Sequence, residues 1–286
     1  MTVSPMTEPT AAPASTPRAG RDLPVAVAVG LGLLGLVVAS LWFRKEGFAV
    51  LVVVVCTAAL WELAQALTRR GIHIPLLPLV VGMVGILVSA YTSGAEALLV
   101  AFLLTVGGVV VWRVLDGGGA QALRDAAAGT FAAAYIPFMA GFVMLMLAEP
   151  DGRWRVGLFV LLVVASDTGG YVAGVLAGRH PLAPSVSPKK TWEGMAGSMV
   201  LACTVGAVGM VWVFEAPVLV GVALGVASVL AATLGDLAES LLKRDLALKD
   251  MGTLLPGHGG VLDRIDAMLL TAPLVHLVLL ALVPAA

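Results

Sequence analysis

Nine apolar stretches of about 20 residues recur along this chain, at roughly 24–43, 47–67, 72–92, 95–115, 126–148, 156–178, 195–214, 216–235 and 261–284. At a rise of about 1.5 Å per residue, each is the length an α-helix needs to cross the hydrocarbon core of a bilayer. No water is available there to satisfy a broken backbone, so helices are the form expected. Composition points the same way. Hydrophobic residues make up 59% and charged residues 12%, against about 25% charged in an average soluble domain. A disordered chain and an ordinary soluble enzyme are thereby excluded. The net charge of −1 leaves no polycation to attract nucleic acid. The fold expected is an all-α polytopic membrane protein of about nine transmembrane helices.

Residues 1–22 are rich in Pro, Thr, Ser and Ala without apolar periodicity and read as a disordered tail. No charged segment precedes a short apolar core near residue 1, so a cleaved signal peptide is not expected. Lys and Arg set the orientation. One side of the nine spans collects Arg18, Arg21, Arg69, Arg70, Arg113, Arg124, Arg179, Lys189, Lys190, Lys243, Arg244, Lys249 and Arg264; the other holds Arg44, Lys45, Arg153 and Arg155. Thirteen against four places the N-terminus in the cytoplasm and the C-terminus outside. Cys56 and Cys203 stand far apart in apolar runs and read as small buried hydrophobes. His73 and His276, also in apolar stretches, read as hydrogen-bonded core residues.

Two polar segments do not look like connectors. One runs from Ser166-Asp167-Thr168-Gly169-Gly170 through Arg179-His180 to Ser187-Pro188-Lys189-Lys190-Thr191-Trp192-Glu193-Gly194. The other starts at Gly235-Asp236 and ends at Asp263-Arg264-Ile265-Asp266. Together they hold 15 of the chain's 35 charged residues. Asp167 inside an apolar span costs at least ~2.5–3.5 kcal/mol to insert, which makes it a functional candidate. On a helix, Asp236, Glu239, Ser240 and Lys243 share one face, and Asp263 and Asp266 share another. Carboxylates converging near a membrane surface supply the hard oxygen donors Mg²⁺ requires, with phosphate completing its shell. The turn Pro256-Gly257-His258-Gly259-Gly260 can aim successive amides at an anion, just before a helix N-terminus. Lys189 and Lys190 add compact cations suited to phosphate. The combination suggests metal-assisted phosphoryl or nucleotidyl transfer.

The run from Ser240 through Lys243-Arg244, Lys249-Asp250, Gly252, Pro256-Gly257-His258-Gly259-Gly260 and Asp263-Arg264 to Asp266 resembles the signature of the phosphatidate cytidylyltransferases (CDP-diacylglycerol synthases). Ser166-Asp167-Thr168-Gly169 and Ser187 to Gly194 resemble two further motifs of that family in its order, so the likeness covers roughly residues 130–275. Gly170 is a mild departure, as family members often carry alanine there. The resemblance implies that CTP and phosphatidate give CDP-diacylglycerol and pyrophosphate, with Mg²⁺ and in some members a monovalent cation such as K⁺. It implies Asp236, Asp263 and Asp266 as metal ligands, and Lys190, Lys243 and Arg264 as catalytic residues beside Asp236 and Asp263. For substrate binding it implies Asp167, Ser187, Lys189, Arg244, Lys249, His258, Gly259 and Gly260. It further implies an enzyme of phospholipid biosynthesis in the cell membrane, forming a homodimer, with its site and a lateral opening on the cytoplasmic side. The domain reading is a tail over 1–22, N-terminal membrane helices over 23–125 and a catalytic membrane domain over 126–286.

Two alternatives stay open at the level of the residues. A CTP-dependent lipid kinase or a related lipid-phosphate cytidylyltransferase would use the same groups. An ion-coupled transporter would string Asp167 and Glu62 into a path, although no inverted repeat of broken spans is evident. Glu62, alone in the second stretch, reads as a buried satisfied carboxyl or a dimer contact.

Overall fold

The computed structural model describes residues 23–117, 119–254 and 259–283; the expected tail at 1–22 lies outside them. Its helices are α1 (Leu23–Phe43), α2 (Lys45–Thr68), α3 (Leu76–Leu115), α4 (Gly119–Ala133), α5 (Met139–Ala148), α6 (Gly152–Ala177), α7 (Trp192–Trp212), α8 (Val218–Asp245) and α9 (Leu262–Leu282). Among the described residues, seven helices are long and apolar enough to cross a membrane, counting α4 through α5 as one; Gly32–Phe43 of α1 is a shorter apolar helix.

The two stretches read at 72–92 and 95–115 both fall on α3. This helix is not a straight rod, because Gly94 adopts φ 84°, ψ −167° inside it. A Cβ on Gly82 would run into the side chain of Thr105. Those residues lie 12 before and 11 after Gly94, so the two halves lie side by side as a hairpin. The α3 ends agree. The buried carboxylate of Asp125 accepts from the backbone N of His73 at 2.9 Å, accepts from Gln121 Nε2 at 2.9 Å and pairs with Arg113. In a straight helix about 60 Å long, residues 73 and 113 could not meet at one carboxylate. His73 itself is exposed in the connection between α2 and α3 rather than in the core. Asp125→Ala is expected to cost about 3 kcal/mol, because a largely buried guanidinium loses its buried partner and keeps only the exposed Asp116. An unchanged melting temperature in detergent would strip the cluster of that role.

Between α4 and α5 the chain forms one π-helical turn, Ala134–Phe138. Pro137 lies inside it and has no N–H to continue an α-helical ladder. Farther on, 181–191 is not irregular loop but a two-stranded antiparallel hairpin. Its strands β1 (Pro181–Ala183) and β2 (Ser187–Thr191) pair Pro181 with Thr191 and Ala183 with Ser187, the one departure from an all-α fold among the described residues.

Helices α6, α7 and α8 pack through a seam of small residues, as expected where lipid offers no hydrophobic drive for association. A Cβ on Gly169 would strike the carbonyl of Gly197, and Gly206 and Gly221 meet in the same way. Ser198 Oγ crosses the seam to donate to Ser166 O at 2.6 Å. The buried core continues through Leu60, Leu63, Met83, Ile86, Met146, Phe159, Leu162 and Val275, and His276 is buried beside Phe142, as expected. At the end opposite Asp125, Lys45 Nζ donates to the carbonyls of Glu149 and Pro150, joining the α1–α2 and α5–α6 turns.

Candidate active site

Helical periodicity gathers Asp167, Gly170, Tyr171 and Gly174 on one face of α6. With Lys189 and Lys190 of β2, Gly194 and Ser198 of α7, and Asp236 of α8, they line a cavity of about 210 Å³. The Thr191 side chain caps α7 by accepting from Gly194 N at 3.1 Å. Glu193 ties the hairpin base to α7, accepting from the backbone N of Arg179 and His180 at 3.1 and 3.2 Å and contacting His180 Nδ1 at 2.5 Å. Arg244 Nε donates to Val186 O at 2.7 Å, which holds the hairpin tip against α8. Lys190, fixed on this short sheet, pairs with Asp236.

A second cluster adjoins the first where α8 ends and α9 begins. Helix α8 continues ten residues past the apolar stretch that marked it, so Asp236, Glu239 and Lys243 do share a helix face. Lys243 Nζ bridges Glu239 and Asp263, the latter at 2.8 Å. The other oxygen of Asp263, Oδ2, accepts from Met251 N and Gly260 N, each at 2.9 Å. Asp266 is buried, and its Oδ1 accepts from Ala267 N at 2.8 Å. The Tyr135 ring is buried and presented by the π-helical turn. Its hydroxyl and Glu239 Oε1 are buried with no hydrogen-bond partner among the described residues.

Of the residues read from the sequence, Asp167, Lys189, Lys190 and Asp236 therefore meet at one cavity, while Lys243, Asp263 and Gly260 meet beside it. Ser187 opens β2, and Arg264 follows Asp263 on α9. Lys249 is exposed on the segment after α8 and does not line the cavity; His258 lies outside the described residues. Gly259 has a φ of +88°, the left-handed conformation that favours glycine. Of the expected outward-facing nest of amides, Gly260 N–H points to Asp263 instead, and 256–258 lie outside the described residues. Tyr135 is not singled out by the sequence, whereas Glu62, read as a buried carboxyl, is one. Glu62 is buried and accepts from Leu262 N at 3.0 Å.

As they stand, no three Asp, Glu, His or Cys side chains among the described residues converge on a single point that could hold a metal ion. Ammonium groups stand on the carboxylates instead, Lys190 on Asp236 and Lys243 on Asp263. The donors are all hard oxygens, the set a magnesium ion takes together with water and phosphate. A second cavity, of about 520 Å³, lies near Trp42, Arg153 and Trp154. Carboxylate and imidazole groups are absent from its described lining.

The arrangement pairs acids with bases at the ends of apolar helices. The sequence model of the cytidylyltransferase family matches residues 24–282. The chain is 40% identical over 273 residues to a phosphatidate cytidylyltransferase of Mycobacterium leprae (strain TN), covering 90% of this chain and 88% of that one. It is 38% identical over 280 residues to a phosphatidate cytidylyltransferase of Mycobacterium bovis (strain ATCC BAA-935 / AF2122/97), covering 92% and 90%. Identity to a phosphatidate cytidylyltransferase of Staphylococcus aureus (strain COL) is 30% over 241 residues, covering 82% and 92%. A match that runs from α1 to the last residue of α9 leaves no part of the helical fold outside it, and this chain belongs to the cytidylyltransferase family.

Proposed function

We propose that this protein transfers the cytidylyl group of CTP to phosphatidate, giving CDP-diacylglycerol and pyrophosphate. The observation that carries the reading is the twin acid–base pairing of Asp236 with Lys190 and Asp263 with Lys243 beside one cavity. In the step itself, a phosphate oxygen of phosphatidate attacks the α-phosphorus of CTP. The bond from that phosphorus to the bridging oxygen of the β-phosphate breaks, and pyrophosphate leaves with its electron pair. The nucleophile is already an anion, so little general-base help is needed; the obstacle is repulsion between two anions.

Lys189 and Lys190 offset that repulsion from the hairpin, and Lys243 and Arg264 from the helix ends. Asp236 and Asp263, with Asp266 behind them, would hold Mg²⁺, each of the first two releasing an ammonium to do so. A bound Mg²⁺ supplies neutralisation of the triphosphate charge and of the departing pyrophosphate. Asp167, Ser187, Arg244, Lys249, His258, Gly259 and Gly260 complete the substrate-contact set, and a monovalent cation such as K⁺ belongs to the same reading. Tyr171, Leu182 and Met195 along the cavity give acyl chains an apolar rim at a lateral opening.

The finer topology belongs to the same proposal. With α3 folded at Gly94 and α1 inserted, the chain crosses the cell membrane nine times. The N-terminus and the site face the cytoplasm, where CTP is dissolved, and two copies form a homodimer. Purified protein given CTP labelled at the α-phosphate, phosphatidate and Mg²⁺ should move label into lipid and release one pyrophosphate per lipid formed. A chelator should stop both. Label that stays in water as CDP would instead identify a lipid kinase and overturn the reading.

A further inference from the structure

Helix α9 begins without a local cap. Its N-cap position is Val261, whose side chain cannot accept a hydrogen bond, so the first amides of the helix need partners from elsewhere. Leu262 N finds one 200 residues away, in Glu62 Oε2 on α2, at 3.0 Å. A carboxylate there also meets the positive end of the helix dipole. Glu62 is 1% exposed, and its second oxygen, Oε1, has no hydrogen-bond partner among the described residues. Leaving half a carboxylate unsatisfied in the interior is costly, more than a neutral cap would require.

What Glu62 touches explains the arrangement. A Cβ on Gly252 would fall on the Glu62 carboxyl, and one on Gly260 would lie 2.7 Å from Glu62 Oε2 and 2.8 Å from Asp263 Oδ2. Gly252 and Gly260 are themselves in close approach, Gly252 N lying 2.7 Å from that same Cβ. Met251 and Gly252 thus meet Gly260 at a narrow neck. Asp263 Oδ2 holds the neck from one side through Met251 N and Gly260 N. Glu62 fills the other side and pins Leu262, the residue before Asp263.

We propose that Glu62 is a positioning residue: from α2 it locks this neck of Gly252 and Gly260 and the start of α9, fixing Asp263 for cytidylyl transfer. The kinetic part rests on the proposed function; the mechanical part does not. Glu62→Ala is expected to lower kcat about 100-fold, the size of effect a displacement near 1 Å can produce, with KM for CTP little changed. Glu62→Gln keeps an acceptor for Leu262 N and should stay within about threefold of the parent protein. Gly252→Ala pushes the Glu62 carboxyl off its seat and should reproduce the Glu62→Ala profile. The double variant Glu62→Ala/Gly252→Ala should be no worse than Glu62→Ala alone, because both changes remove the same contact.

Hydrogen exchange without substrate or metal reads the anchor directly. In Glu62→Ala, amides of 251–254 and 259–263 should exchange faster while those of α4 and α5 stay protected. Three results overturn the proposal: unchanged exchange at the neck, additive losses in the double variant, or Glu62→Ala and Gly252→Ala proteins that both turn over at the parent rate. Should Glu62→Ala fail to fold, the exchange and kcat of Gly252→Ala decide alone. If the parent protein makes no CDP-lipid, the functional reading fails while the exchange result still judges the anchor.

Discussion

Asp236→Ala and Asp263→Ala are each expected to lower cytidylyl transfer by about a thousandfold or more, ~4 kcal/mol of transition-state stabilisation. In the proposed reaction both carboxylates sit where two polyanions must be brought together, and each balances an ammonium group, Asp236 that of Lys190 and Asp263 that of Lys243. On that proposal, removing either would leave cations to attract substrate and no anchor for the ion that screens it. The two variants should differ in their folding behaviour. Asp236 accepts from the Lys190 side chain, so Asp236→Ala should melt near the parent temperature. Asp263 also accepts from Met251 N and Gly260 N, so Asp263→Ala should expose those amides to exchange as well as lose activity. Turnover within tenfold of the parent, in protein that runs as a single folded species in detergent, would remove the carboxylate concerned from the chemistry.

The other large effect is structural. Gly197→Val is expected to prevent assembly of α6 on α7, because the added carbons would have to occupy the carbonyl of Gly169 and the Cβ of Ala173. Overpacking in a close-packed interior costs about 1–3 kcal/mol and more where backbone is the obstacle. Backbone is the obstacle here, and Asp167 with the cavity lies along the same seam. Gly157→Ala on α6 is the control: a Cβ there meets nothing within 4 Å, and replacing a helical glycine gains about 0.5–1 kcal/mol of propensity. Comparing folded yield and melting temperature of the pair separates seam packing from a general intolerance of side chains. Equal yields would mean the seam can open at little cost.

Much of this was legible in one dimension, for identifiable reasons. Apolar length marks a helix without reference to its neighbours, so the nine stretches fall mainly on helix, although only seven helices among the described residues are long and apolar enough to cross a membrane. The face carrying Asp236, Glu239 and Lys243 followed from 3.6-residue periodicity alone. What escaped notice depends on the third dimension. The hairpin over 181–191 contains Pro181, Pro184 and Pro188, and its strands are too short for an alternating pattern to stand out. Glu62 meets Leu262 across 200 residues of chain, and a single acid in an apolar run carries no hint of its partner. Gly260 read as a donor to an incoming anion, whereas an acidic side chain three residues on captured its amide first. Tyr135 was one aromatic among many until a π-helical turn buried its hydroxyl without a hydrogen-bond partner among the described residues.

The reversal of α3 at Gly94 also governs parity. Each pass through a bilayer exchanges one compartment for the other, so the compartment of any loop depends on whether an odd or an even number of passes precedes it. Taken as one pass, 76–115 would deliver Asp116 to the compartment opposite His73. Folded at Gly94, as the shared carboxylate of Asp125 requires, it would return the chain to the compartment it left. In the proposed topology every later segment inherits that choice, Lys190, Asp236 and Asp263 included. One glycine in the left-handed region would then decide whether those residues and the start of α1 look onto the same solution.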